Sequence, residues 1–545
     1  MLLINDPYHE WTYISENGND LYFKGQEEYA RNILKRAQTC DPKNILEELD
    51  RYLCSLTHYN GGALETDKYI IAWTDHIRSW PLFYTLGYKQ IVVSNSASKL
   101  KAHAGLDSLD DTSVIEFAMA GFVTGKDTLY NHLFSVQPGE FLLFDKQTGA
   151  VNTHKYFKYS PEQSNTKPQA EKMQELGRIL DETTLEIIKK ADGRTIWVPL
   201  SAGLDSRILL CKLHEHGYRN IETFTYGPRH NFEAIHAKRI AQTLNVPWRM
   251  IHLSPKTVKR YFNSSQREDF WDYAGNLKAI PCMREFSAMC YLHEHKIAKP
   301  GDIFLNGQSG DYITGGHIPA ACFKDKAVER TDFTNALIGK HYSLWHSLKI
   351  DKNLKIAHDK IGHIIGGEWE SQDTPEERAA QSEYWEYEGR QICYVVNGQR
   401  IYEFLGYNWE MPLWDKRLVD FCRTLFLSDK KDQFLYKAYL KDYNYKGLFP
   451  EKEPHLWRWP IPMLWVVVAA QFIGRIKGAK AKEQFYNKMR SHGHYSNQYA
   501  FFPPEYHRGT CQDARNVVSL YVPKWFEERQ GYPDSVEQFK ALEKL

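Results

Sequence analysis

Apolar positions in the first 155 residues come in short runs. Tyr69–Trp73, Gln90–Ser94 and Phe141–Phe144 have the length of strands, and turn clusters at Asn60-Gly61-Gly62, Gly87 and Pro138-Gly139 separate them. This texture predicts an antiparallel sheet domain. The stretch from Ser160 to Lys167 is rich in Ser, Pro, Gln and Asn and reads as a linker. After it the apolar spacing turns helical, with Met173, Leu176, Ile179, Leu180, Ile187 and Ile188 on one face of a helix over 171–191. The pattern divides the chain into regions 1–160 and 168–545.

The second region continues as a strand at Trp197–Leu200, a helix at Ser206–His216, a strand at Ile221–Tyr226, a helix at Glu233–Leu244 and a strand at Arg249–Leu253. That order predicts a parallel sheet with right-handed crossovers. A further buried strand is expected at Ile303–Asn306, and beyond Glu376 the chain is mostly helical and rich in Trp and Tyr. Ligands on parallel sheets sit beyond the carboxyl ends of the strands. Two of those ends carry small-residue loops.

Composition adds exclusions. The 545 residues are 42% hydrophobic, ample for packed cores, and 69 Lys and Arg balance 68 Asp and Glu. Such a balance gives no global basic field for nucleic acid. Nine cysteines without a C-x-x-C pair read as reduced thiols of a cytoplasmic protein, and the N-terminus lacks the pattern of a secretory signal. Ile461 to Ile473 is apolar except for Gln471 and is followed by Arg475, Lys477, Lys480, Lys482, Lys488 and Arg490. It is too short to span a bilayer. A buried helix with a basic exit is the favoured reading, and a weak peripheral contact with anionic lipid is the other.

The first of the two loops follows the Trp197–Leu200 strand and reads Ser201-Ala-Gly-Leu-Asp-Ser206. Ser201, Gly203 and Ser206 let backbone N–H groups approach an anion, and the following helix aims its N-terminal dipole at the same point. Asp205 makes electrostatic sense in such a cradle when Mg²⁺ bridges it to a polyphosphate. The loop therefore points to ATP with its metal. The second loop, Gly307-Gln-Ser-Gly-Asp-Tyr-Ile-Thr-Gly-Gly316, follows the Ile303–Asn306 strand, and the two can converge on one ligand.

These residues resemble one family. The first loop is similar to the SGGxDS pyrophosphatase loop of N-type ATP pyrophosphatases, and the second resembles the GEGxDExxGG loop of asparagine synthetases. Trp73-Thr-Asp-His-Ile-Arg-Ser-Trp-Pro-Leu-Phe-Tyr84 with Ser94 resembles a stretch of the class II glutamine amidotransferase domain, as does Thr128-Leu-Tyr to Pro138-Gly139. Asn408-Trp-Glu-Met-Pro-Leu-Trp-Asp-Lys-Arg-Leu-Val-Asp420 is similar to the "E-x-R-x-P-F-L-D" segment of the synthetase domain. The resemblance spans roughly residues 60 to 440. It implies an α/β protein with an N-terminal Ntn-type antiparallel β-sandwich over 1–160. Residues 168–545 would form a parallel-sheet ATP-pyrophosphatase domain with a helical extension. The implied reaction is adenylation of a carboxylate by ATP, with release of pyrophosphate and then attack of an amine on the acyl-AMP.

Site residues follow from the same resemblance. Asp205 and Asp311 match the family's two metal and pyrophosphate aspartates. Leu200, Ser201, Gly203, Leu204 and Ser206 would hold the nucleotide together with Gly307, and Tyr226 matches the position whose backbone holds adenine. Gln308 stands where the family has a glutamate, Tyr312 replaces a second one, and the family's lysine aligns nearest to Gln433. Lys431 and Lys437 flank that glutamine, and on a helix Lys437 lies four residues on and points the same way, so it is the candidate substitute. Glutamine-using members carry cysteine directly after the initiator methionine, where this chain has Leu2, and the glutamine-holding motifs are missing from the first 60 residues. The expectation is an amide-forming ligase without its own glutaminase.

Its partners would be a small-molecule or glycan carboxylate and either ammonia or a substrate amine, with no nucleic acid and with a homodimer left open. Two alternatives stay open: a non-catalytic, regulatory ATP-binding relative, and an enzyme that amidates uronic acids of surface polysaccharide or closes a lactam or peptide ring. A third, an RNA-modifying enzyme on the same loop, is disfavoured by the neutral charge balance.

Overall fold

The computed structural model describes residues 1–227, 231–324, 330–366, 374–451, 461–479, 481–482, 485 and 514–529. Lys480, Lys488, Arg490 and Cys511 lie outside the described residues.

Ten strands precede residue 160: β1 (Leu2–Leu3), β2 (Thr12–Glu16), β3 (Asn19–Lys24), β4 (Gly61–Glu65), β5 (Tyr69–Thr74), β6 (Phe83–Gly87), β7 (Gln90–Ser94), β8 (Phe134–Ser135), β9 (Glu140–Asp145) and β10 (Val151–Lys155). They form a six-stranded sheet in the order β10-β9-β5-β4-β3-β2 and a four-stranded sheet in the order β1-β7-β6-β8. Pairing is antiparallel apart from β1, which runs parallel to β7 with Leu2 opposite Val93. Alternation of side chains along each strand explains the layering. Ala63, Ile70, Ala72, Leu142 and Phe144 of the large sheet meet Tyr84, Ile91 and Val93 of the small one in one apolar layer. The opposite face of the large sheet, with Leu21, Phe23, Leu64, Ile71 and Leu143, joins the main core together with helix residues Ile33, Leu49 and Leu53. Two helices that the strand-like texture did not announce, Glu27–Thr39 and Ile45–Ser55, cover it.

The second sheet is parallel throughout. Strands β11 (Ile196–Pro199), β12 (Ile221–Gly227), β13 (Trp248–His252), β14 (Ile303–Leu305) and β15 (Asn408–Glu410) lie in the order β13-β12-β11-β14-β15. Strands β12 and β13 build outward on one side of β11, and β14 and then β15 are added on the other. Strand order therefore reverses between β11 and β14, and a crevice opens beyond their carboxyl ends. Both small-residue loops leave the sheet there.

The two regions share one continuous apolar core. Tyr59 donates its hydroxyl to the Met411 carbonyl at 2.6 Å, a ring nitrogen of His76 lies 2.7 Å from the Trp414 carbonyl, and Trp80 Nε1 donates to Glu403 at 2.7 Å. The stretch 160–167 is pinned as well, through Glu162 N to Arg423 O at 2.7 Å and Asn165 N to Thr424 O at 2.9 Å. The Ile461–Lys477 helix departs from the favoured reading of a buried helix. Trp465, Phe472 and Ile476 are 72%, 64% and 66% exposed, so its apolar residues include a stripe at helical spacing that faces outward. Among the described residues no helix is long and apolar enough to cross a membrane.

Candidate functional site

Strand β11 ends at Pro199, and Leu200 closes the core beneath the loop, 2% exposed, its N–H on the Phe224 carbonyl at 2.8 Å. The loop then ties itself with small hydroxyls. Ser201 N–H donates to Ser206 Oγ at 3.2 Å and Gly203 N–H donates to Ser201 Oγ at 3.0 Å. Gly203 caps the helix Leu204–Glu215 without a side-chain bond, which leaves first-turn N–H groups for an external anion. Glu233, in the first turn of the helix Phe232–Leu244, already accepts from Ala202 N–H at 2.5 Å. An anionic group thus occupies one donor of the cradle. Leu204 turns toward the main core as a partly buried residue.

The second loop presses against the first. A Cβ on Gly307 would stand 2.9 Å from Ser206 N and 3.0 Å from the Asp205 carbonyl carbon, and one on Gly310 would stand 2.5 Å from both Asp205 Cγ and Leu413 Cδ1. Only glycine allows that approach. It brings Asp311 N–H to 3.1 Å from Asp205 Oδ2, while Tyr436 donates to Asp205 Oδ1 at 3.0 Å. Ser309 adopts φ +68°, a left-handed conformation at the position where the resembling motif has its second glycine, and its hydroxyl donates to Gln391 Oε1 at 2.7 Å.

Charge is tightly organised around the two aspartates. Burial, reinforced by the charge of Asp311, pushes the Asp205 carboxyl up to about 7. Asp311 goes the other way: burial alone would raise it, but the bond from His317 and the charge on that ring hold it below the usual carboxylate range. His317 bridges Asp311 Oδ2 at 3.0 Å and Glu386 Oε1 at 2.5 Å. Burial would lower the imidazole, yet the two carboxylates outweigh it and raise it to about 9, so His317 is a cation at neutral pH.

A pocket of about 330 Å³ opens over these loops, lined by Leu200, Ser201, Gly203, Asp205 and Ser206 from the first, Gly307 and Gln308 from the second, and Tyr226 at the end of β12. Among the described residues one group of three has metal-ligand spacing, Asp181, Glu215 and His216, and it lies outside this pocket. There the Lys212 ammonium bonds Asp181 at 2.8 Å and Glu215 at 3.1 Å, so a cation already holds it.

The family comparison bears on this geometry. Residues 192–452, which contain both loops and all of strands β11 to β15, match the family described as asparagine synthase. The likeness to asparagine synthase covers a little under half of this chain. No curated protein matches it. Among solved structures, glutamine phosphoribosylpyrophosphate amidotransferase from B. subtilis, complexed with ADP and GMP, is 11% identical, over 44% of this chain and 72% of that one. Its TM-score of 0.18 is too low to say anything of this protein's fold.

The departures from the resembling motifs have definite places in this site. Gln308 lines the pocket, its N–H on Asn306 Oδ1 at 2.9 Å and its Oε1 buried without a hydrogen-bond partner among the described residues. Tyr312 points away, fully buried against Tyr159 and Trp414 with its hydroxyl on the Glu383 carbonyl at 2.6 Å. Gln433 lies at φ +59° before the helix Phe434–Tyr443 rather than inside it, and its Nε2 donates to Thr314 Oγ1 at 2.8 Å. Lys437 therefore does not stack on Gln433; its ammonium donates to the Asp432 carbonyl at 2.7 Å. Four groups escaped the sequence reading. Glu233 stood in the first turn of an expected helix and His317 directly after the second loop, both legible in principle, whereas Tyr436 and Glu386 carried no local signal.

Proposed function

We propose that this protein activates a carboxylate with ATP and converts it to an amide. In the first step a carboxylate oxygen bonds the α-phosphorus and the bond to the β-phosphate breaks, releasing pyrophosphate. In the second, ammonia or an amine of the substrate bonds the acyl carbon, AMP departs, and the nitrogen's proton goes to water or to the AMP phosphate. One observation carries the reading: two glycine loops interlock at the strand-order reversal so that the Asp311 N–H reaches Asp205, which lines the pocket.

The residues fit the ligands this chemistry needs. Asp205 is costly to ionise beside Asp311, and a divalent cation held by these residues would remove that penalty. Bound there, Mg²⁺ would neutralise charge that builds on the leaving pyrophosphate. The loop N–H groups would take phosphate oxygens, displacing Glu233 from Ala202, and Tyr226 would border adenine. Gln308 can orient an acceptor through its amide but cannot accept its proton. Lys437 would reach the phosphates only after leaving the Asp432 carbonyl, so Arg284, which lines the pocket, is the nearer source of positive charge.

A nitrogen source other than glutamine is favoured by the state of Cys54, the exposed thiol among the described residues. It donates to the Tyr156 carbonyl at 2.9 Å, and partial burial with the nearby Asp50 charge raises its pKa, which is the reverse of an activated nucleophile. A non-catalytic ATP-binding protein is the second reading, favoured by Gln308 and by the engaged Lys437. Isotope exchange between pyrophosphate and ATP across a panel of carboxylates separates the two. The ligase is expected to exchange with at least one acid and to make amide from ammonia but not from glutamine. Tight ATP binding without exchange would leave only the second reading, and amide formation from glutamine would refute the missing glutaminase.

A further inference from the structure

A second cavity, of about 400 Å³, adjoins the nucleotide pocket, and Arg284 lines both. Its polar wall is cationic. Arg284, Lys340, Arg390 and Arg515 come to it from four separate segments, and among the described residues no carboxylate lines it. Glu386 lies behind this wall and has several claims on it: Lys340 at 2.6 Å, His317 at 2.5 Å and Arg390 at 3.7 Å. Arg515 donates to neutral groups, the Lys340 carbonyl and Ser343 Oγ. Burial, with the charge of Arg390, lowers its pKa, as expected of a cation facing others. His341, 5% exposed, adds a ring nitrogen, Nε2, which has no hydrogen-bond partner among the described residues and lies 3.6 Å from Glu386 Oε2. The facing wall is carbon: Phe122, Leu344, Val517 and Val518.

Resting on the reading of the nucleotide site as an ATP-dependent carboxylate activator, we infer that this cavity holds the acceptor, and that the acceptor is an organic acid bearing at least two acidic groups on an apolar body. One carboxylate would lie toward Arg284 and Gln308, next to the nucleotide. The second acidic group would meet Arg390 and Arg515, whose guanidinium groups suit planar anions. Four cations that face one cavity repel one another until an anion enters it. The carbon wall then discriminates against a small acid such as aspartate, which cannot span the cavity and leaves apolar surface in contact with water.

Calorimetric titration of the full chain tests this. AMPCPP with Mg²⁺ is added first, and then N-benzoyl-glutamate, its one-carboxylate counterpart N-benzoyl-4-aminobutyrate, or aspartate. N-benzoyl-glutamate is expected to bind at least tenfold more tightly than either of the others. Arg390→Gln and Arg515→Gln should each cost it tenfold or more while AMPCPP affinity stays within twofold. Equal affinity for the one- and two-carboxylate probes would overturn the inference, as would no effect of either substitution. Failure of AMPCPP to bind would instead remove the nucleotide reading, and the diacid titration of the free protein would still decide the cavity.

Discussion

The Ser201–Ser206 loop and the cationic cavity beside it share Arg284 as a wall, yet they are built in opposite ways. The loop is six consecutive residues whose chemistry is mostly backbone: glycine, small hydroxyls and a helix start. The cavity is assembled from side chains that meet only because the helices carrying Lys340 and Arg390 and the segment around Arg515 pack together. A diphosphate is the same in every nucleotide, so a short backbone cradle suffices for it. An acceptor differs from enzyme to enzyme, and only side chains brought from several places can shape a pocket for it. The comparison therefore predicts that nucleotide and acceptor functions can be damaged separately.

The largest separation should come from Asp205→Asn. Losing one of the two carboxylates proposed to face the leaving group is expected to lower pyrophosphate exchange by at least about a thousandfold, on the scale of losing a principal electrostatic contact to a developing charge. Binding of the diacid probe should change little. Exchange within tenfold of the parent would mean that the two loops are not the nucleotide site.

Gly310→Ala follows. Its new methyl would sit 2.5 Å from Asp205 Cγ and from Leu413 Cδ1, the latter in the core, so the loops must part. Overpacking of this kind costs about 1–3 kcal/mol. A lower melting temperature and at least tenfold less exchange are expected, because the shift moves Asp205 itself. A variant that melts and turns over like the parent would show that the interlock is loose.

The same contrast explains what the sequence made legible. Strand β7 falls on the expected residues, and β11, β12 and the helix Phe232–Leu244 lie within a residue or two of expectation, because their apolar runs are bounded by Gly, Pro and Asn. The glycine loops were readable since their constraint is local. The strand β15 was not, being three residues long and paired only in the finished sheet. Lys437 was placed by assuming a helix through Gln433, and the left-handed Asp432 and Gln433 break that helix before it starts. The bridge from Asp311 through His317 to Glu386 joins residues that become neighbours only when the second loop packs against a distant helix.

Proton linkage sharpens the comparison from the solution side. Asp205 titrates near 7 in the fold and near 3.8 when unfolded, so the folded state binds more protons between those values and the ligand-free protein loses stability as pH rises through that window. His317, near 9 in the fold and 6.5 unfolded, contributes stability that is complete below pH 6.5 and is lost as pH rises toward 9. A divalent cation binds ionised Asp205 and must displace its proton below pH 7. The melting-temperature gain from Mg²⁺ with ATP is therefore expected to grow from pH 5.5 to 7.5 and then level off. In Asp205→Asn that growth should disappear. A gain independent of pH in the parent would separate Asp205 from the metal.

The smallest effect belongs to Ser309, where backbone and side chain oppose each other. Its φ of +68° costs a non-glycine residue about 1 kcal/mol, and its bond to Gln391 returns a similar amount, about 1 kcal/mol for a buried hydrogen bond. Ser309→Gly removes both terms and should change stability by less than about 1 kcal/mol. Ser309→Ala keeps the strained backbone and loses the bond, so it should be the less stable of the two by about 1 kcal/mol. Gln391 also donates to Glu386 at 3.0 Å, on the acceptor side. Both substitutions should therefore disturb diacid binding more than AMPCPP binding. The reverse order of stabilities would mean that the loop does not need a left-handed residue at this position, and that its shape is set by Gly307 and Gly310 alone.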